Sequence, residues 1–241
     1  KFEEHMRKYE IALREDEEVL EIKKQGKIIS LRTDKGTYEA KSIIIASGKR
    51  SRLLNVPGEM EFKNKGLTYC ATCDAPLFPG KDAAVIGGGN SALDATIQLM
   101  RIARHIYLIN INKELGGDPI MQEQVENSEL VTILNNTKVT AVTGDKFVKG
   151  IKVQEESQEK TLSVSGVFVE IGLMPNSEFA KELERNTYNE IKVNSRNETN
   201  IPGIFAAGDV TDVPEKQIII AAGEGSKACL SAFRYLILNK F

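Results

Sequence analysis

Ala83-Ala84-Val85-Ile86-Gly87-Gly88-Gly89-Asn90-Ser91-Ala92 is the stretch that decides the fold, because an apolar strand runs directly into a glycine-rich turn. Gly87 permits a tight turn, and Gly89 lets the backbone approach a pyrophosphate. The small Ala92 lets the following helix, which Asn90 or Ser91 would cap, pack against the sheet. The N terminus of that helix favours phosphate charge. The pattern predicts a dinucleotide site, and the alternative is a turn with a purely structural role.

The end of the next strand, about 20 residues further on, should decide which nicotinamide dinucleotide binds. The sequence there reads Leu108-Ile109-Asn110-Ile111-Asn112-Lys113, without the arginine that a 2′-phosphate favours. Asn110 can hydrogen-bond the ribose hydroxyls, although it lacks the charge of the usual carboxylate. We therefore expect NADH to be preferred over NADPH.

Cys70 and Cys73 form a Cys-x-x-Cys motif shortly before the glycine turn. The alternative is half of a zinc site, but the remaining candidate ligands Cys229, His5 and His105 lack paired spacing. The spacing favours a redox dithiol, in which one thiolate attacks a disulfide and the second resolves the mixed disulfide. No metal site is expected.

Asp74 directly follows the second cysteine, and two roles for it stay open. Its carboxyl could move a proton to or from the dithiol. It could instead cap a helix that begins before Pro76.

The composition is that of a globular protein with room for two modest domains. The chain has 241 residues, 41% hydrophobic and 27% charged, with a formal net charge of −2. That charge gives no reason to expect nucleic acid as a partner. The apolar runs Ile43–Ala46 and Ile218–Ala222 are too short to span a bilayer, so no membrane contact is expected. Three cysteines cannot make a disulfide framework, and we expect a cytoplasmic location.

Hydrophobic patterns predict three segments: residues 1–51, 52–172 and 173–241. The first should hold a charged helix over Lys1–Arg14 and strands that end with Tyr38–Ala46. The second should hold the strand–turn–helix unit and a β-rich insert. The third should return with a strand at Gly203–Asp209 and a helix over Glu224–Leu238, in which Cys229 is expected to be a buried structural thiol.

Two of the strand ends resemble each other, Ile45-Ala46-Ser47-Gly48 in the first segment and Glu170-Ile171-Gly172 in the second. This similarity suggests a duplicated nucleotide-binding fold. We predict an α/β protein with two Rossmann-like three-layer domains, in which the nucleotide domain is inserted into the other.

Three separated motifs together resemble the low-molecular-weight thioredoxin reductase family of FAD-containing disulfide reductases. The motifs are Cys70-Ala71-Thr72-Cys73-Asp74, Gly87-Gly88-Gly89-Asn90-Ser91-Ala92, and Phe205-Ala206-Ala207-Gly208-Asp209-Val210 with Gln217-Ile218-Ile219-Ile220-Ala221. The likeness runs from about Tyr9 to Phe241. Leu183-Glu184-Arg185-Asn186 and the run from Lys216 to Gly225 resemble most closely the reductase module of the alkyl hydroperoxide reductase flavoprotein, a subgroup that uses NADH.

The resemblance implies a set of site residues. Catalysis would rest on Cys70, Cys73 and Asp74. NADH would bind at Gly87, Gly89, Asn90, Ser91 and Asn110. FAD would bind at Gly48, Gly208 and Asp209, with Gln217 and Ile218 near the isoalloxazine. Asp209 could instead cap the turn that follows it.

The resemblance also implies a relay in which NADH reduces FAD, the flavin reduces the Cys70–Cys73 disulfide, and the dithiol reduces a protein disulfide. The partner would be thioredoxin or a peroxiredoxin-type protein, and the full-length protein is expected to be a homodimer. Family members begin with a βαβ unit that carries Gly-x-Gly-x-x-Gly for the ADP half of FAD. This sequence lacks that unit, so an N-terminally truncated FAD domain is expected.

Two further interpretations remain open. The chain could belong to a thioredoxin reductase that takes electrons from ferredoxin and keeps an unused nucleotide site. It could also be a non-catalytic nucleotide- or flavin-binding module.

Overall fold

The computed structural model describes residues 2–156 and 158–240. Its α-helices are α1 (Phe2–Met6), α2 (Glu59–Phe62), α3 (Ala71–Asp74), α4 (Asn90–Met100), α5 (Pro119–Glu126) and α6 (Ile218–Leu238). Two short 3-10 helices span Ala75–Leu77 and Gly208–Val210.

The strands are β1 (Val19–Gln25), β2 (Ile28–Thr33), β3 (Thr37–Ala40), β4 (Ile43–Ile45), β5 (Lys49–Ser51), β6 (Leu67–Thr68), β7 (Asp82–Ile86), β8 (His105–Ile109), β9 (Val131–Leu134), β10 (Thr137–Gly144), β11 (Val148–Glu155), β12 (Gln158–Ser163), β13 (Gly166–Val169), β14 (Leu173–Pro175) and β15 (Ile204–Ala206). No helix in the described part of the chain has the length and apolar character needed to cross a membrane.

The chain divides into two compact units. Unit 1 comprises Lys1–Arg50 and Met174–Phe241, and unit 2 comprises Ser51–Leu173. The chain passes between the units within β5 and β14, which pair as a two-stranded sheet.

Unit 2 is built on a five-stranded sheet with the order β6-β13-β7-β8-β9, and each neighbouring pair is parallel. Alternate residues of β7 face opposite sides, as the pleat requires. Ala83 and Val85 join a core beneath α3, α4 and α5, in which Leu93 and Leu99 are fully buried. Ala84 and Ile86 join a second core, beneath the antiparallel sheet β10-β11-β12. The parallel sheet is therefore the middle of three layers, as predicted.

Unit 1 has an antiparallel sheet, β1-β2-β3, and a parallel pair, β4 with β15. Ile204 and Ala206 of β15 belong to a core shared with β1, β2 and β4. Phe205 points the other way, onto Ala228 and Ala232 of α6. The α/β class of the prediction is confirmed.

Two predictions for residues 1–51 are wrong. The helix expected over Lys1–Arg14 ends at Met6, and the following Tyr9 and Ile11 are more than half exposed. A charged segment that buries so little apolar surface gains too little to extend a short helix. The strand expected over Tyr38–Ala46 is two strands, because β3 pairs antiparallel with β2 whereas β4 pairs parallel with β15.

The helices also differ from prediction in their ends. Gly89, not Asn90 or Ser91, is the N-cap of α4, because the Asn90 Oδ1 accepts a hydrogen bond from the amide of Asp118 at 2.7 Å. Helix α6 starts six residues earlier than predicted, at Ile218. Cys229 is exposed on that helix and is not the buried thiol that we expected.

Candidate active site

The predicted redox pair is present as a disulfide between Cys70 and Cys73, with their Cα atoms 5.3 Å apart. Strand β6 brings the chain to the edge of the parallel sheet, and α3 begins directly after Cys70. Cys70 is the N-cap of that helix, and its Sγ accepts a hydrogen bond from the Cys73 amide at 3.2 Å. Cys70 is half-buried and Cys73 is exposed, so the pair opens to solvent on one side.

Asp74 is turned toward the strand that precedes the cysteines. Its Oδ2 accepts a hydrogen bond from the Thr68 hydroxyl, which also accepts one from the Cys70 amide at 3.2 Å. Asp74 makes no capping hydrogen bond to the 3-10 helix Ala75–Leu77 that follows. The capping alternative is therefore not what the structure shows, and Asp74 lines a cleft of about 240 Å³ with Thr68 and Phe78.

Glu59, which sequence analysis did not single out, braces the residue before Cys70. It is only 2% exposed, and its carboxylate accepts hydrogen bonds from the amides of Leu54 and Asn55, each at 2.7 Å. The same carboxylate accepts the hydroxyl hydrogen bond of Tyr69 at 2.8 Å. Burial and this neighbouring carboxylate raise the pKa of Tyr69, so its phenol stays protonated and donating.

Glu170 lies between the cysteines and the glycine turn. Its Oε1 accepts a hydrogen bond from the Ala71 amide at 3.3 Å. Burial raises the pKa of Glu170 to about 7, and the carboxylate of Asp94 on α4 adds to this, while the Ala71 amide opposes it. Sequence analysis used Glu170 only as part of a repeated strand end; a lone carboxyl after the apolar run of β13 was the signal that could have found it.

The three glycines of the turn differ in how much space a side chain would have at each position. A Cβ on Gly87 would lie 2.3 Å from the carbonyl oxygen of Glu170, and one on Gly88 would lie 2.4 Å from the Oδ1 of Asn110. No described atom lies within 4 Å of a Cβ built on Gly89. Packing therefore explains the first two glycines, whereas no contact or backbone angle within the described residues requires the third, whose Cβ position is open.

The N terminus of α4 is free to receive an anion. No side chain of the described residues caps it, and its first turn contains Asn90 and Ser91, both exposed. Amide groups at such an end favour a phosphate. The open position at Gly89 and this uncapped end fit the pyrophosphate of a dinucleotide.

Asn110 is placed differently from a typical ribose-binding residue. It is 1% exposed, and its Nδ2 donates to the carbonyl of Glu114 at 2.8 Å and to the Oδ1 of Asn135 at 2.9 Å. Its Oδ1 accepts from the Asn112 amide at 3.1 Å. Both amide hydrogens are therefore used inside the protein, which leaves only an oxygen lone pair for a ribose hydroxyl. The loop that Asn110 holds exposes Ile111 and Asn112.

The predicted flavin residues lie in unit 1. Gly48 and Gly208 have φ values of +67° and +73°, which favour glycine. The carboxylate of Asp209 makes no hydrogen bond within the described part of the chain, and the turn after it is closed by Thr211, whose amide and hydroxyl both donate to Gly208. Gln217 is the exposed N-cap residue of α6.

Next to this segment lies a buried ion cluster. Glu190 accepts hydrogen bonds from Lys49 and Asn186, and the Nζ of Lys216 lies 3.2 Å from its Oε1. Burial alone would raise the pKa of Glu190, but these donors outweigh burial and hold it below its ordinary value. The carboxylate of Asp209 can still accept hydrogen bonds, and the positive φ of Gly208 shapes the backbone before it. Both features fit a ligand that offers hydroxyl groups, as FAD does.

Comparison with known proteins assigns the family. Residues 2–225 match the family model described as pyridine nucleotide-disulphide oxidoreductase. The chain belongs to this family.

Its curated relatives include a protein named NADH dehydrogenase in Bacillus subtilis strain 168 and one named as an alkyl hydroperoxide reductase subunit, in Staphylococcus aureus strain MRSA252. Each is 43% identical over 98% of this chain and 47% of its own length. The chain thus spans about half the length of the curated relatives that it matches.

Among solved structures, a thioredoxin reductase from Streptococcus pyogenes MGAS5005 superposes with a TM-score of 0.85 at 31% identity, over 92% of this chain and 74% of that one. The resemblance drawn from the motifs is confirmed.

Proposed function

We propose that this chain is part of an FAD-dependent disulfide reductase that passes electrons from NADH to a protein disulfide through Cys70 and Cys73. The observation that carries the proposal is the placement of the disulfide and the open glycine turn in the same unit, joined by Glu170. Family membership supports it, because the family is defined by pyridine nucleotides and disulfides. When bound, NADH and FAD would supply hydride and electron transfer.

The chain's own residues have separable tasks in this proposal. Gly89 and the N terminus of α4 would bind the pyrophosphate of NADH. Gly48, Gly208, Asp209, Gln217 and Ile218 would hold FAD, with Asp209 as hydrogen-bond acceptor. Cys70 and Cys73 would alternate between disulfide and dithiol, and Asp74 would hold or deliver a proton beside them.

The preference for NADH over NADPH rests on the loop after Asn110. The loop contains no arginine, so a 2′-phosphate placed against the exposed Ile111 and Asn112 would lack the bidentate pairing that a guanidinium gives, and Lys113 is the one cation that directly follows. The internal bonds of Asn110 support a role in holding this loop as well as, or in place of, a ribose contact.

The protein partner is proposed from the relatives. A peroxiredoxin-type disulfide is favoured by the 43% identity to a protein named as part of an alkyl hydroperoxide reductase, and thioredoxin by the structural neighbour. We also propose a cytoplasmic homodimer for the whole protein.

The test is the reduction of each partner by protein supplied with FAD. NADH should be consumed in step with partner thiols for one of the two oxidised partners, thioredoxin or a peroxiredoxin, and more slowly with NADPH. Cys73→Ser is the control and should abolish partner reduction while leaving NADH binding intact. Equal partner reduction by Cys73→Ser and the parent would overturn the proposal.

A further inference from the structure

Glu170 occupies a position that the proposed relay does not use. It follows β13, whose neighbours in the sheet are β6 on one side and β7 on the other. Strand β6 leads to Cys70, and β7 leads to Gly87. Because all three strands are parallel, their carboxyl ends meet at one edge, and Glu170 stands between the disulfide and the nucleotide turn.

Both the backbone and the side chain of Glu170 make contacts there. Its amide donates to the carbonyl of Ile86 at 2.8 Å, and its own carbonyl lies where a Cβ on Gly87 would fall. Its carboxylate accepts from the amide of Ala71, the first residue of α3. Glu170 is therefore fixed by the sheet and reaches the helix that carries both cysteines.

The first amides of α3 are the groups that would stabilise a thiolate at Cys70. Cys70 is the N-cap, and its Sγ already accepts the Cys73 amide. Backbone amides that donate hydrogen bonds to a thiolate stabilise it and so lower the pKa of the thiol. The Ala71 amide is in the same turn, but it donates to the carboxylate of Glu170. When Glu170 is ionised, this amide is therefore not available to a Cys70 thiolate, and a second negative charge stands near it.

The surroundings of Glu170 place the titration of its carboxyl group near neutral pH. Burial raises the pKa of Glu170 to about 7, the carboxylate of Asp94 on α4 contributes in the same direction, and the Ala71 amide at the start of α3 opposes both. Asp74, the other carboxylate of α3, is bound to Thr68.

We propose that Glu170 is a positioning residue for the redox pair, which controls the stability of the Cys70 thiolate through its hydrogen bond to the Ala71 amide. When two electrons from a dithiol reductant or a reduced flavin break the S–S bond, the two sulfurs take up two protons, or one if Cys70 stays a thiolate. In the latter case the second proton goes to Glu170, so the thiol and the carboxyl titrate as a coupled pair.

The inference rests on the proposed disulfide-reductase function, but its test needs neither cofactor nor partner. A Cys73→Ser, Cys229→Ser background leaves Cys70 as the chain's one thiol, because the sequence contains three cysteines. The rate of alkylation by iodoacetamide and the ultraviolet absorbance of the thiolate are measured from about pH 5 to about pH 10.

In this background Glu170→Gln should lower the thiol pKa of Cys70 by about one unit where Glu170 is charged, so the alkylation rate between about pH 7 and that thiol pKa rises about tenfold, whereas at about pH 5 the two rates converge. The rate profile should also lose an inflection near neutral pH. Asp94→Asn is the matched control, because the exposed carboxylate of Asp94 raises the pKa of Glu170. The hydrogen bond that this carboxylate accepts comes from Gln98 of its own helix. The substitution should move that inflection to lower pH and leave the rate at high pH unchanged.

The inference is overturned if the pH–rate profiles of the parent and Glu170→Gln superimpose. It is also overturned if the alkylation rate changes by the same factor at every pH, because that result would indicate a purely structural role. If Glu170→Gln fails to fold, the shift of the inflection in Asp94→Asn decides, and its absence overturns the inference. Failure here leaves partner reduction by NADH unaffected, and failure of partner reduction leaves this titration unaffected.

Discussion

At the scale of single residues, the carboxylates of interest in the two units are held in unlike environments. Glu59 is enclosed and receives three donors, whereas Glu170 receives one amide and is partly desolvated. Asp209 receives none from the described residues. The first is thus a structural brace, the second has a pKa in the neutral range, and the third is available to a ligand.

Glu170 should make stability depend on pH. Its pKa is about 7 in the folded chain and near its ordinary value of 4.5 when unfolded, so the folded state binds the proton more tightly. Stability should therefore fall as the pH rises from about 4.5 to about 7. Glu170→Gln should remove this loss, with a gain of about 1–3 kcal/mol at pH 8 after discounting for partial exposure, and little change at pH 4.

Urea unfolding of the parent and Glu170→Gln at both pH values measures the difference. A gain of the same size at pH 4 and pH 8 would show that the charge of Glu170 is not its cause.

Asp209 should matter for FAD and little for the fold. In protein that retains flavin, Asp209→Ala should weaken FAD binding by about 1–3 kcal/mol, the value of a charged hydrogen bond. The thermal midpoint of the flavin-free form should barely change, because the turn is closed by Thr211. Fluorescence titration with FAD and thermal unfolding give the two quantities.

Asp212→Ala is the contrasting variant, because its Oδ1 accepts the Val193 amide at 3.1 Å. It should destabilise the flavin-free form and spare FAD affinity. The opposite pattern, a destabilised Asp209→Ala with unchanged FAD affinity, would make Asp209 a turn residue.

At the scale of elements, the strand–turn–helix unit of β7 and α4 is the part that local sequence describes best. Its apolar strand, its glycines and its helical periodicity all lie within about 20 residues and agree with one another. Leu93, Ile97 and Met100 lie at helical spacing in the sequence, and all three pack on one core.

Gly89 allows the proposed nucleotide site to be tested without disturbing the fold. A Cβ there meets no described atom, and its φ of −101° suits alanine. Gly89→Ala should therefore keep the parent's thermal midpoint but weaken NADH binding at least tenfold, because the methyl group takes the space of the pyrophosphate.

Gly223→Ala is a matched control, since its Cβ also meets no described atom and it lies within α6 in the other unit. It should leave NADH affinity unchanged and add up to about 1 kcal/mol of stability. Calorimetric titration with NADH compares the two variants; equal affinities would remove Gly89 from the nucleotide site.

Elements that depend on distant partners were harder to predict. The break between β3 and β4 follows from their pairing with different strands, and residues 37–46 alone do not show it. Likewise, Cys229 looked buried because it has apolar neighbours in sequence, but α6 turns Ala228 to the core and leaves Cys229 outside. Helix α5 was missed although Asp118 and Pro119 are typical of a helix start.

At the scale of the whole molecule, the cysteines and glycines of the proposed site could be singled out from sequence because each motif is local. Glu170, the carboxylate that links the two motifs, could not be singled out in this way. Glu170 reaches α3 only because the strand order places β13 between β6 and β7, and such an order is not contained in any short stretch of sequence.

In the proposed function, electrons pass from NADH through FAD to the Cys70–Cys73 disulfide. The most direct test of this path is to count the thiols that NADH generates. Protein supplied with FAD is mixed anaerobically with NADH or NADPH, then alkylated and analysed by peptide mass. We predict that NADH labels Cys70 and Cys73 together, at least tenfold faster than NADPH does, while exposed Cys229 is labelled with or without either nucleotide. A protein that holds flavin, oxidises NADH and leaves Cys70 and Cys73 unlabelled would contradict this path.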